Sequence, residues 1–307
     1  MVPLDSPPSR PRICSLRTPD GFSGADIVPD LGATVASLRL PGPDGSPREC
    51  LFRHPWFWDP DTPETRGGLP VLFPICGRLQ PDGRLDAKEQ REGHGFALPI
   101  HGFAMRRPWQ IVGFHAPDSL HLRLADSPPT RLLYPCAFEL DLVFSIRPAE
   151  FRIELTVRNT GDQTLPYYAG FHPYFATPPA GHGKERTTVM VHPRKRWNYN
   201  KTRTALDHEI PLPAFPLSAA DNEASGLLLE MDDAPETRWL FPDGFVLRQT
   251  THAAFRYRQF YTLPGAPFFC DEPWMAPPGA FRRPGAAREL PPGAAESAWI
   301  AIAAEPR

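Results

Sequence analysis

Phe138-Glu139-Leu140-Asp141-Leu142-Val143-Phe144-Ser145-Ile146 places every second side chain, from Phe138 to Ile146, on one apolar face. Phe151-Arg152-Ile153-Glu154-Leu155-Thr156-Val157-Arg158 repeats the pattern, with Phe, Ile, Leu and Val on one side and Arg, Glu, Thr and Arg on the other. A period of two marks a half-buried strand, because successive side chains of extended backbone point to opposite faces. Arg147-Pro148-Ala149-Glu150 between the two runs reads as a turn, so the pair is expected to form an antiparallel hairpin. Outward from it, further strands are expected at 34–40, 109–112, 120–124, 245–249, 255–262 and 299–303. Many short strands separated by Pro/Gly loops indicate an all-β protein, a large antiparallel β-sandwich or barrel. No βαβ alternation and no internal repeat is present. The Pro-, Gly- and Ala-rich stretch 277–293 is expected to be a surface loop, and 180–186 a second excursion. No linker divides the chain, so 1–307 is expected to be one domain with its core at about 30–303.

Composition excludes several classes. Forty-one prolines and twenty-three glycines make up about a fifth of the 307 residues, more than long helices can absorb, so a helical bundle is ruled out. The formal net charge of −2 gives no general attraction to nucleic acid or an anionic membrane. No apolar run approaches the ~18 residues of a membrane span. The opening MVPLDSPPSRPRIC has no apolar core of a secretory leader, and the expected location is cytoplasmic. Cys14, Cys50, Cys76, Cys136 and Cys270 are scattered, odd in number and free of any CxxC pair, as in a reduced chain.

Three polar clusters stand among apolar residues. Gly67 to Arg78 ends an apolar run on an arginine, and His101-Gly102-Phe103 follows it. Ala169-Gly170-Phe171-His172-Pro173-Tyr174-Phe175 sets a histidine among aromatics. Phe268-Phe269-Cys270-Asp271-Glu272-Pro273-Trp274 carries an acidic pair out of an apolar strand. Asp271 and Glu272, as neighbours on extended backbone, point to opposite faces, so they cannot flank one glycosidic bond. The histidines form no HxH or HxxxH pair, which argues against a metal site. His54, His115, His121, His182, His192, His208 and His252 are expected at the surface or in loops. Taken alone, His172 would read as a packed residue and Glu272 as a strand-end carboxylate.

These clusters, in order, together with Tyr134-Pro135-Cys136-Ala137-Phe138, Val157-Arg158-Asn159-Thr160-Gly161 and Ala266-Pro267 before Phe268, resemble the aldose 1-epimerase (galactose mutarotase-like) superfamily in its shorter bacterial branch. The resemblance spans roughly residues 30 to 303. It implies a β-sandwich (a supersandwich) with a sugar on its concave face, Glu272 as general base and His172 as general acid, and Arg78 and His101 as sugar-binding residues. Tyr174 and Trp274 are candidates to stack on the sugar ring. The chemistry suits those types: one group takes the proton from the C1 hydroxyl, the other protonates the ring oxygen, and the ring opens and recloses on the other face. No metal and no cofactor is needed. The expected partner is a small-molecule sugar or sugar phosphate, bound by a monomer or homodimer. The pair is expected to face each other across one open pocket lined by His101 and Arg78.

The galactose-specific relatives carry a further sugar-binding aspartate, for which Asp207, Asp221 and Asp233 are the candidates. Two alternatives remain open at this point. A hexose-6-phosphate 1-epimerase would need cations near C6, with Arg53, Arg78, Arg106 and Arg107 as candidates. A non-catalytic sugar-binding protein would be expected to have lost His172 or Glu272, and both are present.

Overall fold

The computed structural model describes residues 11–59, 62, 65–79, 96, 98–115, 117–233, 235–263 and 265–305, so the start of the chain read above for a leader lies outside it. Within these residues the chain is nearly all β. The hairpin that opens the reading forms as strands Phe138–Arg147 and Glu150–Asn159, joined through Pro148 and Ala149. Their alternating residues Phe138, Leu140, Leu142, Phe144, Phe151, Ile153, Leu155 and Val157 are all buried. Full burial of one such side chain contributes roughly 1.5–3 kcal/mol, so this face alone is a large part of the core.

The hairpin lies in a nine-stranded sheet. From one edge to the other, its strands are Leu217–Ser218, Thr188–Val191, Glu236–Leu240, Val246–Thr251, Ala295–Ala304, Glu150–Asn159, Phe138–Arg147, Ser119–Ala125 and Gln110–His115. An eight-stranded sheet runs Leu206–Ile210, Lys195–Tyr199, Leu228–Glu230, Tyr257–Tyr261, Phe268–Trp274, Gly170–Phe171 and Val71–Leu72, with Tyr174–Ala176 also on Phe268–Trp274. All strand pairings in both sheets are antiparallel. The sheets pack face to face, with Trp239 of one meeting Phe269 of the other edge-on at 4.6 Å between ring centroids. A four-stranded sheet (Cys14–Arg17, Gly24–Val28, Thr34–Pro41, Pro47–Glu49) and a two-stranded one complete the fold. The one α-helix among the described residues, Pro128–Leu133, is short, and no helix there is long and apolar enough to cross a membrane.

One loop expectation is corrected, and the excursion at 180–186 forms as turns and a 3-10 helix, Lys184–Arg186. Within 277–293 the chain forms a 3-10 turn at Ala280–Arg282 and a strand at Arg288–Leu290, and it buries Ala280, Phe281 and Leu290. That strand pairs with Leu165–Tyr167, and a partner so remote in sequence leaves no local signal. Within 180–186, Lys184 is buried, its Nζ donating to Thr262 Oγ1 at 2.8 Å and Ala266 O at 2.6 Å. The cysteines are free as expected, four of them buried and Cys136 partly so.

Candidate active site

Strand Phe268–Trp274 splits its side chains between two worlds. Phe269 and Asp271 face the core between the sheets, while Phe268, Cys270, Glu272 and Trp274 face the opposite side. Asp271 lies beside the fully buried Arg258 (Oδ1 to Nη1 3.6 Å), which confirms that the two neighbouring carboxylates part company.

Glu272 meets His172 through strand register. Gly170 pairs with Trp274 and Tyr174 with Cys270, so both short strands keep one alignment on Phe268–Trp274. His172, midway between them, therefore stands directly opposite Glu272. The ladder to that strand is broken beside them because Pro173 has no N–H, while the His172 N–H faces the other neighbour and donates to Pro70 O at 3.0 Å. The outcome is a cross-strand pair on one face, His172 Nε2 lying 3.3 Å from Glu272 Oε1. Both are almost wholly buried, at 4% and 2% exposure. The expected open pocket between them is thus corrected to a closed contact: side chains directly opposite on adjacent strands are neighbours unless something parts them.

The flanking groups hold this pair. Trp274, two residues on and on the same face, donates its indole N–H to Glu272 Oε2 at 3.1 Å. The Tyr174 ring lies parallel to the His172 imidazole, 4.7 Å between centroids and 5° between planes. Both aromatics are 3% exposed and are packed against the candidate pair itself. The His101 ring meets His172 edge-on at 5.1 Å. His101 has a positive φ of 63° and is clamped at two points to Gly77. Its N–H donates to Gly77 O at 2.8 Å, and its Nδ1 accepts from Gly77 N–H at 3.1 Å. With Nδ1 accepting, a neutral His101 carries its proton on Nε2.

Burial governs the protonation states. It drives His101 down to about 3, helped by the charges of Arg78 and Arg106. It holds His172 well below its ordinary value, with His101 adding to the effect. Glu272 is pushed well above the carboxylate range by burial, which Trp274's hydrogen bond opposes and Asp271's charge reinforces. Burial thus disfavours charge on both members of the pair.

Other expected residues divide. Arg78 is half-buried and close enough to depress His101, as is Arg106. Arg53 is exposed, its guanidinium 5.9 Å from the Phe57 ring centroid. Asp207 is exposed beside His208 (3.1 Å), Asp221 accepts from Glu223 N–H at a 3-10 turn, and Asp233 is exposed; none joins the site. Two residues that the sequence did not single out do: Gln259, the register partner of Glu272, and Tyr199, whose hydroxyl donates to Gln259 Oε1. Glu272's charge bears on Tyr199, whose phenol is raised chiefly by burial. Only strand alternation, Tyr257-Arg258-Gln259-Phe260-Tyr261, carried a signal for Gln259. Among the histidines expected at the surface or in loops, His121 departs: it is half-buried in strand Ser119–Ala125, with Nε2 2.7 Å from Asp141 Oδ1.

One donor atom each from His101, His172 and Glu272 lie within 4.8 Å of one another, a set that could hold a divalent transition cation. Sequence spacing could not reveal it, since the three come from separate segments. A cation there would compete with any substrate for the same atoms.

The family model described as aldose 1-epimerase matches residues 15–212. The chain belongs to the aldose 1-epimerase family. The match includes Arg78, His101, His172 and Tyr174 of this family member and ends before Glu272, which strand register brings to them. Among solved structures, a protein from Synechocystis sp. PCC 6803 is 26% identical with a TM-score of 0.78, each chain covered in full. A galactose mutarotase related enzyme from Lactobacillus acidophilus shares the fold at 22% identity and TM-score 0.78, over 96% of this chain and 97% of that one. The plasmid protein LacX of Lactococcus lactis subsp. lactis is 28% identical over 124 residues, 40% of this chain and 41% of LacX. The chain thus spans about two fifths of the length of the curated relatives it matches.

Proposed function

We propose that the protein is an aldose 1-epimerase, interconverting the α and β anomers of a sugar by acid–base ring opening at His172 and Glu272. The observation that carries this reading is the buried cross-strand contact of an imidazole and a carboxyl at 3.3 Å. A sugar entering the site must part the two side chains, so that one reaches O5 and the other the C1 hydroxyl. In the forward step the acid gives its proton to O5 as the C1–O5 bond breaks. The base takes the C1 hydroxyl proton, leaving an aldehyde. Rotation about C1–C2 and reclosure return both protons and yield the other anomer, with no oxidation or net proton change. With one of the two groups protonated and the other not, either can serve as acid, and the reaction runs both ways without resetting the enzyme. His101, neutral with N–H on Nε2, acts as a hydrogen-bond donor to a sugar oxygen, and Arg78 as a charged one.

A sugar 6-phosphate is the second reading, favoured by one observation: Arg78 and Arg106 both lie close enough to His101 for their charges to bear on it. Anomer exchange measured by NMR over a panel of aldoses and their 6-phosphates tests both. Acceleration over buffer is expected for at least one sugar. Competition by inorganic phosphate would select the phosphorylated class, and no acceleration with any member of the panel would refute the proposal.

A further inference from the structure

We infer that Gln249 is a positioning residue for Glu272, supplying from the opposite sheet the hydrogen-bond donor that Pro173 cannot supply within the ladder. The inference rests on the proposed role of Glu272 for its consequence in activity, and on strand geometry alone for its structural part.

In an antiparallel ladder, hydrogen-bonded and non-hydrogen-bonded pairs alternate. Met275 N–H donates to Ala169 O, and Thr177 N–H to Pro267 O, each at 2.9 Å. These two bonds mark the hydrogen-bonded pairs at either end of the shared register, and counting inward by twos from either end makes Pro173 and Asp271 a hydrogen-bonded pair. Pro173 lacks the N–H that Asp271 O should accept. The peptide with that carbonyl is the one whose N–H belongs to Glu272. Left alone, it would be a buried main-chain acceptor without its ladder donor, free to tilt, and its tilt would carry the Glu272 side chain with it.

Gln249 sits on strand Val246–Thr251 of the nine-stranded sheet, its side chain fully buried between the sheets. Its Nε2 lies 3.0 Å from Asp271 O and 2.9 Å from Asp271 Oδ2. One amide thus fixes both the carbonyl and the carboxylate of the residue that precedes Glu272. Arg258 faces the same carboxylate and is itself held by Pro235 O and Thr251 Oγ1, each at 3.3 Å. A core position flanked by Leu247 and Phe269 would otherwise be filled by an apolar side chain. The amide belongs there because it meets an acceptor that the proline has stripped of its partner.

A purely structural tie would lower stability and leave turnover alone, so the test separates the two. Gln249→Met keeps the length and removes both donors. It is expected to lower kcat for anomer exchange at least ~10-fold with KM held within about twofold, as for a misplaced catalytic group. Pro173→Ala restores the main-chain donor. The same Gln249→Met change made in the Pro173→Ala protein should therefore cost no more than about twofold in kcat, relative to Pro173→Ala alone. Ile302→Val, a core truncation at the register partner of Gln249, should lower Tm without this change in kcat. Should Gln249→Met not fold, Gln249→Asn, which withdraws the amide by one methylene, reads the same loss. Amide hydrogen exchange at Glu272 gives a readout independent of activity: faster in Gln249→Met, restored in the double variant. Unchanged exchange at Glu272, an equal kcat loss in both backgrounds, or a fall in Tm with parental kcat would each overturn the inference. If no aldose is turned over by the parent, the function proposal fails and the exchange measurement alone decides the positioning.

Discussion

Replacing Gly170 with alanine should displace the His172–Glu272 pair without touching either member. Gly170 precedes His172 by two residues and is paired with Trp274, two residues beyond Glu272. Its φ is not in the left-handed region, so the backbone itself would accept alanine; the obstacle is space. A Cβ there would stand 2.6 Å from Cys76 Sγ, 2.7 Å from Pro273 O and 2.9 Å from Trp274 Cδ1. The thiol and indole can shift a little, but Pro273 O is main chain of the strand that carries Glu272. Restoring 2.7 Å to an ordinary contact of 3.4 Å requires the two strands to separate by about 0.7 Å at this point. Overpacking of that kind costs about 1–3 kcal/mol, a fall in Tm of roughly 2–10 °C. Misplacing catalytic groups by ~1 Å can cost ~10²-fold, so kcat for anomer exchange should fall at least ~10-fold. NMR exchange spectroscopy and thermal melts read both quantities. Gly113→Ala is the control: it lies on the sheet-edge strand Gln110–His115, and its nearest neighbour is the far end of the His115 side chain at 3.3 Å. It should change neither quantity. Parental kcat and Tm in Gly170→Ala would show that close approach of these strands is not what sets the pair.

Glu272→Gln should be more stable than the parent above acidic pH. The folded pKa of Glu272 is raised by burial, so its favourable contribution is complete below the unfolded value of ~4.3 and is lost as pH rises through the folded value. Glutamine cannot ionise, so its advantage in Tm should grow as pH rises above the unfolded value of ~4.3; an offset independent of pH would contradict the raised pKa. Lys184→Met should lower stability by about 1.5–3 kcal/mol or more, because Nζ satisfies Thr262 Oγ1 and Ala266 O, with Leu263 O and Phe268 O at 3.3 Å, and methionine donates nothing. Denaturant melts measure it, and a parental midpoint would show that these acceptors find other partners.

Alternation alone revealed the sandwich, because a face that must be buried imposes its period on the sequence: the first hairpin strand starts at Phe138 as read, and the other three boundaries differ by one residue. The strand expected at 109–112 instead runs Gln110–His115, since Trp109 leaves the ladder to bury its ring. His172 and Glu272 were legible as residues, and their partnership was not. It depends on a register set by Gly170–Trp274 and Tyr174–Cys270, about a hundred positions apart, and interrupted at Pro173. The same non-locality hid Gln259, which no motif marks and which only the neighbouring strand brings beside Glu272. Tyr174 and Trp274 were read for their affinity to sugar rings, yet their rings are packed against His172 and Glu272. An aromatic beside a polar group reads alike in either role until its neighbours are known.

The most direct test of the account is the rate of anomer exchange, measured by NMR on the best aldose, in Glu272→Gln and His172→Asn beside the parent. Each variant keeps shape and some hydrogen bonding while removing one half of the acid–base pair. General acid–base catalysis supplies ~10²–10⁴-fold, so each should lose a factor in that range while still binding the sugar. Exchange within a few-fold of the parent in both variants would contradict the account.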